Sequence, residues 1–233
     1  YPNVITQLIP YNDAALKVDE ALMVELAQRV TTGGFQESGM AAREFDLKLR
    51  WQTGVAKAPH VAAFVRILLS AKQPIVLCGW HRDVYDIWLR ELGEFNPVLY
   101  TGSESAAQKK KNVRTFTSGE SDLFIMSLRS GAGLNGLQKR SHTIVFGELD
   151  WSPKVHEQCI ARLDRPGQKH QVDAIFLHAN GGSDPAMMGV LGVKASQSHG
   201  IIDPTRDPIP QLSDGTRIRQ PIGGDFAVSG HLV

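Results

Sequence analysis

Short, largely apolar runs separated by stretches of helical periodicity constrain this chain more than any other feature. The runs are Pro74-Ile75-Val76-Leu77-Cys78, Val98-Leu99-Tyr100, Leu123-Phe124-Ile125-Met126, Thr143-Ile144-Val145-Phe146 and Val172-Asp173-Ala174-Ile175-Phe176-Leu177, in which Thr143 and Asp173 are the clearly polar members. Each is too short for a helix and too continuous for a half-exposed strand, which predicts strands buried on both faces. Before the first run, Val61, Phe64, Val65, Leu68 and Leu69 form an apolar stripe on a helix that Pro59 is suited to begin. Further helices are predicted over 83–92, 105–116 and 153–163. Alternating strands and helices imply right-handed crossovers and a parallel sheet covered on both faces, with ligands at the carboxyl ends of the strands.

With 233 residues, 42% hydrophobic and 21% charged, the chain can bury a core and reads as one globular domain with appendages. No window approaches the ~18 consecutive apolar residues of a membrane span. Tyr1-Pro2-Asn3-Val4 lacks both a basic region and an apolar leader segment. A soluble intracellular protein, cytoplasmic and of bacterial or phage type, is expected. Cys78 and Cys159 lie in apolar segments and read as buried thiols, and the eight histidines show no tight ligand spacing, so no metal site is expected. The net charge of +1 hides local unevenness: Lys109, Lys110, Lys111 and Arg114 form one basic run, and Arg129, Lys139 and Arg140 a second. Such runs fit a solvated helix face as well as a phosphate contact.

Residues 1–56 read as a helical segment without strand signals. Asn12 or Asp13 caps a helix with Ala15, Val18, Leu22, Leu26 and Val30 at three- and four-residue spacing, and Gly33-Gly34 ends it. A second helix covers about 41–51 and stops near Gly54. Residues 57–180 form the α/β unit, 181–202 contain a short helix over 184–195, and 203–233, rich in proline and glycine, read as an irregular or flexible tail.

Two glycine patterns are set aside. Gly34-Phe35-Gln36-Glu37-Ser38-Gly39 has the spacing of a phosphate-binding loop, but Met40 and Ala41 replace the lysine and hydroxyl that such a loop needs. Gly131-Ala132-Gly133-Leu134-Asn135-Gly136 matches a dinucleotide fingerprint, with Glu148 and Asp150 downstream as ribose ligands, yet the next strand begins too soon for the long crossover helix.

The specific signal is Gln158, Arg162, Arg165, Gly167 and Gln168, spaced Q-x-x-x-R-x-x-R-x-G-Q. On a helix beginning near Pro153, the glutamine and two arginines share one face. Paired guanidiniums are poor packing residues and good clamps for phosphoryl oxygens. A surface helix with unrelated arginines is the plain alternative.

This segment resembles the sixth helicase motif of Swi/Snf-family DNA translocases, and further family blocks precede it in order. Ile75-Val76-Leu77-Cys78 with Trp80 and His81 resembles the fourth motif, and Tyr100-Thr101-Gly102-Ser103 with Arg114 and Phe116 the next block. Residues 127–135 resemble the fifth, Asp150-Trp151-Ser152-Pro153 the Asp-Trp-Asn-Pro element, and 184–194 the helix that follows. Asp164 and Ser152 depart from the family's usual histidine and asparagine.

The resemblance covers about residues 57–200. It implies the second, C-terminal RecA-like lobe of an ATP-dependent double-stranded DNA translocase: a parallel sheet with helices on both faces, preceded by a helical protrusion and followed by a tail. In it, Arg162 and Arg165 are the arginine fingers and Gln158 helps position the nucleotide. Gly131, Gly133, Asn135 and Gln168 face the nucleotide. Trp80, His81, Arg82, Thr101, Gly102, Ser103, Ser127, Arg129 and Ser130 contact DNA. ATP and magnesium are held mainly by an N-terminal ATP-binding lobe, the partner of this one, whose motifs do not occur in this chain; alone, the chain is expected to be inactive. A non-catalytic DNA-binding or scaffold module is the alternative, against which the intact arginine pair argues.

Overall fold

The structure, a computed structural model, describes residues 1–12, 14, 20–192 and 217–219. Its elements are β1 (Asn3–Leu8), α1 (Glu20–Thr32), α2 (Phe35–Ser70), β2 (Ile75–Gly79), α3 (Arg82–Glu91), β3 (Val98–Tyr100), α4 (Ala106–Thr117), β4 (Leu123–Ser127), β5 (Thr143–Phe146), α5 (Pro153–Ile160), β6 (Asp173–His178), α6 (Asp184–Leu191) and β7 (Arg217–Arg219). The strands lie in the order β3-β4-β2-β5-β6-β1-β7. The first six are mutually parallel, and β7 pairs antiparallel with β1.

The apolar runs are explained by burial on both sides. Val76, Cys78, Phe124, Met126, Ile144, Phe146 and Phe176 point to one face, where Phe116 of α4, Cys159 and Ile160 of α5 and Met187 of α6 cover them. Ile75, Leu77, Ile125, Val145, Ile175 and Leu177 alternate to the other, beneath Val61, Val65 and Leu68 of α2 and Trp88 of α3. With side chains alternating along each strand, both sets must be apolar. Among the described residues no helix is long and apolar enough to cross a membrane.

The structure revises the reading of residues 1–56. The segment opens with a strand, β1, which enters the sheet in parallel register with β6 from Asn3 opposite Asp173 to Leu8 opposite His178. Its polar residues concealed it: Asn3, Thr6 and Gln7 are buried. Asn3 Nδ2 donates to Asp173 Oδ1 at 2.9 Å and Gln7 Nε2 to the Leu8 carbonyl at 2.9 Å, so neither polar group is lost to water without replacement. The helices expected to stop near Gly54 and to start at Pro59 are one helix of 36 residues, with Pro59 inside it. Gly54 does not end it; a methyl group there would run into the Glu148 carboxylate, so glycine permits a close crossing over the sheet. Tertiary burial of 52–58 outweighs the hydrogen bond that Pro59 cannot make.

Asn12 Oδ1 accepts from the Ala14 amide at 3.0 Å, as a capping side chain does. Ala15 and Val18, and the side chains of Leu22, Leu26 and Val30, lie outside what the structure describes, as does the tail expected at 203–233 apart from β7. The helix expected over 184–195 runs from Asp184 to Leu191, followed by Gly192 in the left-handed conformation at φ 67°, while 193–195 lie outside the described residues.

A buried ion pair fixes α2 across the end of the sheet. Lys57 Nζ lies 2.7 Å from Asp184 Oδ2, with the two side chains 1% and 2% exposed, and donates to the Leu177 carbonyl at 3.0 Å. Asp184 Oδ2 also accepts the Ala179 amide at 2.8 Å. Lys57→Ala leaves that carboxylate buried and uncompensated and is expected to lower unfolding free energy by about 3–5 kcal/mol, measured by urea denaturation.

Candidate nucleotide and nucleic-acid site

The chain reverses its direction of strand addition at β2, which pairs with β4 on one side and β5 on the other. In an open parallel sheet such a switch leaves a crevice at the carboxyl ends. The loops after β2, β3, β4 and β5 all reach this edge, and they carry most of the residues singled out in the sequence.

After β2, a buried carboxylate fixes the backbone. Glu148, 4% exposed, accepts the amides of Trp80 at 2.6 Å and His81 at 2.9 Å on Oε2, while Oε1 lies 2.5 Å from His81 Nδ1. Arg82 then opens α3, whose Asp83 accepts the Trp51 indole N–H at 2.7 Å. After β3, both the amide and hydroxyl of Thr101 donate to Glu104, and Thr101 Oγ1 accepts the Ser103 amide at 3.2 Å. These loops and Ser127 line one groove of about 320 Å³, with Trp80, Arg82, Tyr85, Thr101, Gly102 and Ser103 on its walls. Burial, reinforced by the nearby Glu148 charge, pushes the Tyr85 phenol well above its ordinary range, so it stays neutral at the groove floor.

After β4, Ser130 Oγ donates to the Tyr100 carbonyl at 3.0 Å and Ser127 Oγ accepts the Arg129 amide at 3.4 Å. Arg129 forks onto Asp150 with contacts of 3.1–3.2 Å, and half of its side chain stays exposed. Asp150 is 2% exposed, accepts the Ser152 amide at 2.9 Å and lies 3.7 Å from Arg50 Nη2. Its own amide donates to His156 Nε2 at 3.2 Å, and His156 Nδ1 lies 3.0 Å from the Ser152 carbonyl. Those partners set the tautomer with the proton on Nδ1. Burial lowers the His156 pKa to about 4, against the opposing pull of the Ser152 carbonyl and Asp150.

The glycine-rich loop meets the two arginines. Helix α5 ends at Ile160, shorter than the sequence suggests, so Arg162 and Arg165 stand in the turns beyond it and not on its face with Gln158, which is exposed. Arg162 Nη1 and Arg165 Nη1 approach the same acceptor, the Leu134 carbonyl, at 3.5 and 3.2 Å, and Arg165 also reaches Asn135 Oδ1 at 3.4 Å. A methyl group on Gly131 would lie 3.3 Å from Arg162 Nε, and Gly133 has φ 75°, which a larger residue rarely adopts. Lys109, Lys110 and Arg114 of α4 line a cleft of about 430 Å³ with Gly133 and Asn135. Gln168 is held elsewhere: its amide donates to the carbonyls of Ser141 at 2.9 Å and Leu163 at 3.2 Å, securing the turn.

Sequence reasoning missed the residues that organise this edge. The sequence offers Glu148 only as a ribose ligand, and Asp150 as a ribose ligand or as the start of the Asp-Trp-Asn-Pro-like element, although a carboxylate just past a buried strand is itself a signal at such an edge. The brace supplied by α2 carried no local signal: Asp46 accepts the Trp151 indole N–H at 2.9 Å, Arg50 donates to the Leu149 carbonyl at 3.3 Å, and Trp51 binds Asp83. Among the described residues no group of three or more His, Cys, Asp or Glu is placed to hold a metal.

A parallel sheet with its arginine turn and glycine loop at the carboxyl edge is a RecA-like lobe. No family model matches the chain, but individual relatives do. It is 26% identical over 200 residues to the SWI/SNF-related matrix-associated actin-dependent regulator of chromatin subfamily A-like protein 1 of Drosophila melanogaster, covering 81% of this chain and 26% of that protein. It is 27% identical over 228 residues to the human DNA annealing helicase and endonuclease ZRANB3, covering 93% of this chain and 20% of the relative. The fold matches the C-terminal domain of the Sulfolobus solfataricus SWI2/SNF2 ATPase at TM-score 0.61 and 11% identity, over 87% of this chain and 93% of that one. In sequence and fold the chain is similar to the C-terminal RecA-like lobe of Swi/Snf-type proteins. It spans about a quarter or less of the length of those relatives. The expected cytoplasmic, bacterial or phage-type setting is corrected by the curated relatives, which are eukaryotic, from Drosophila, cattle, Arabidopsis and human, and are named as chromatin regulators, DNA repair and recombination proteins and DNA helicases.

The burial of His156 and His178, both with pKa values lowered to about 4, ties stability to pH. In the unfolded chain these histidines bind protons near pH 6.5, and in the folded chain only near pH 4. Stability from keeping them neutral is present above pH 6.5 and lost as pH falls through that window toward 4. Thermal melts at pH 7, 6, 5 and 4.5 are expected to show Tm dropping steadily below pH 6.5, with a shallower drop in His156→Gln.

Proposed function

We propose that this lobe works as the second half of an ATP-dependent double-stranded DNA translocase, supplying guanidinium fingers and the loops that track the duplex. The observation that carries the reading is the pairing of Arg162 with Arg165. Two cations converge on one neutral carbonyl, and among the described residues neither is matched by a carboxylate. Such an arrangement attracts an anion and fits phosphoryl oxygens bidentately.

ATP with magnesium, held mainly by the opposing N-terminal lobe, supplies the phosphoryl group to be transferred. Arg162 and Arg165 exchange the Leu134 carbonyl for its oxygens when the lobes close, and they stabilise negative charge that grows in the transition state. Gln158, exposed one turn earlier, helps orient the nucleotide, while Gly131, Gly133 and Asn135 keep the loop low enough for the fingers to pass. Arg82, Thr101, Ser103, Ser127 and Ser130 offer amides, hydroxyls and charge to phosphates without reading bases. A Sulfolobus SWI2/SNF2 ATPase core of similar fold, at TM-score 0.64, is described in complex with double-stranded DNA.

Arg162→Ala or Arg165→Ala in the two-lobed protein is expected to reduce DNA-stimulated ATP hydrolysis on the order of a thousandfold or more. DNA affinity, which rests on other loops, should change far less. Lysine should rescue poorly, because a point charge lacks the planar fork. Near-normal turnover in both alanine variants would return the lobe to a scaffold role.

DNA binding is expected to be independent of sequence and to weaken steeply between about 50 and 200 mM salt. Anisotropy titrations on two unrelated duplexes at several salt concentrations check this; salt-indifferent binding or a strong preference for one duplex would count against it.

A further inference from the structure

Another cleft opens at the amino edge of the sheet, at the far end of the strands from the loops after β2 and β3. It has a volume of about 620 Å³ and is bounded by Pro74 before β2, by Lys139, Arg140 and His142 before β5, and by Lys169 and His170 before β6. Its walls are tied to one another. The Ser141 hydroxyl donates to the Pro74 carbonyl at 2.7 Å, and Gln168 Nε2 donates to the Ser141 carbonyl at 2.9 Å. Three segments far apart in sequence are therefore held around one hollow.

The chemistry of that hollow is one-sided. Its lining includes two ammonium groups, a guanidinium and two imidazoles, and no carboxylate. Arg140 has its charge answered by Asp122, whose Oδ1 lies 2.7 Å from Nη2, whereas Lys139 and Lys169 form no ion pair among the described residues. Exposed lysines alone would mark only a solvated surface. The histidines add direction. His142 and His170 stand ring against ring, with centroids 4.9 Å apart. Nδ1 of His142 is buried and has no hydrogen-bond partner among the described residues. An N–H in that position would give up its bond to water for nothing, so the proton belongs on Nε2, and that nitrogen is the one able to donate to a ligand.

What such a cleft lacks is an anion with several acceptors. A phosphate group on a single ester link carries about −1.5 to −2 charges at pH 7 and three acceptor oxygens, enough to meet two ammoniums and an imidazole N–H at once. The diester of a nucleic-acid backbone has one charge, and a duplex is too stiff to follow the lobe from its carboxyl-edge loops round to its amino edge. We propose that Lys139, Lys169 and His142 form a binding site for a dianionic phosphate group, whether free inorganic phosphate or the phosphorylated serine of another protein. The site owes nothing to the arginine turn or to the DNA reading of the opposite edge.

The test is isothermal titration calorimetry on the protein that carries this lobe, in phosphate-free buffer, with inorganic phosphate, a short phosphoserine peptide, the same peptide unphosphorylated, and its glutamate version. Phosphate and phosphopeptide are expected to bind and the other two peptides to bind far more weakly. Lys139→Ala combined with Lys169→Ala should weaken binding by about tenfold or more, and His142→Phe, which keeps a ring against His170, by several-fold. A phosphopeptide that binds much more tightly than inorganic phosphate identifies a protein partner as the source, and equal affinities identify the free ion; both support the site. No heat from either phosphate ligand at millimolar concentration overturns the proposal, as does an unchanged affinity in the double lysine variant or equal binding of the glutamate peptide. Loss of binding in Arg162→Ala with Arg165→Ala, but not in the lysine variant, would move the anion to the arginine turn. Displacement of bound phosphate by a duplex without terminal phosphates would make the cleft part of a DNA surface, and the proposal would fall.

Discussion

Two buried carboxylates at the end of one strand, Glu148 and Asp150, hold the working edge of this lobe together. A carboxylate out of water must be met by donors or cations, or the fold loses several kcal/mol. Glu148 meets that demand with the loop after β2, and Asp150 with Arg129 from the loop after β4, Arg50 from α2 and the amide of Ser152 at the start of α5. The loops after β2 and β4 are thus fixed by the need of a charge that belongs to another segment. The loop after β3 differs, since its own Glu104 holds Thr101.

The long helix α2 extends this logic to the rest of the fold. It crosses the sheet end closely because Gly54 has no side chain to strike Glu148, and one turn on, Lys57 neutralises Asp184 at the start of α6. Its preceding turns reach the opposite way, through Asp46, Arg50 and Trp51, to the loops that precede α5 and open α3. A helix read from sequence as a separate preamble is therefore a brace for the site. Displacing it would disturb the groove and the Asp150 cluster at once.

The arginine turn obeys a different constraint. Arg162 and Arg165 are parked on a backbone carbonyl and an asparagine oxygen, weak neutral partners compared with the carboxylate that holds Arg129. Charge-assisted bonds to a carboxylate are the stronger kind, so Arg129 is the harder of the three to recruit. The finger residues remain available for an anionic ligand because their resting partners are easily exchanged.

By itself the sequence determined the alternation of buried strands and helices, and hence the parallel sheet, because a strand covered on both faces must be apolar, as 75–78, 123–126 and 144–146 are. It also located Arg162, Arg165 and the loops of the carboxyl edge, since their spacing is written in contiguous residues. It could not reveal β1, whose Asn3, Thr6 and Gln7 look like loop residues until Asp173 and neighbouring backbone satisfy them. Nor could it show that Pro59 lies inside a continuous helix, or that Arg162 and Arg165 leave the helix of Gln158 to meet at Leu134. Only the tertiary structure decided these points, because the deciding partners lie far along the chain, 170 positions from Asn3 and 28 and 31 positions from Arg162 and Arg165, and a polar group's fate turns on whether that partner arrives.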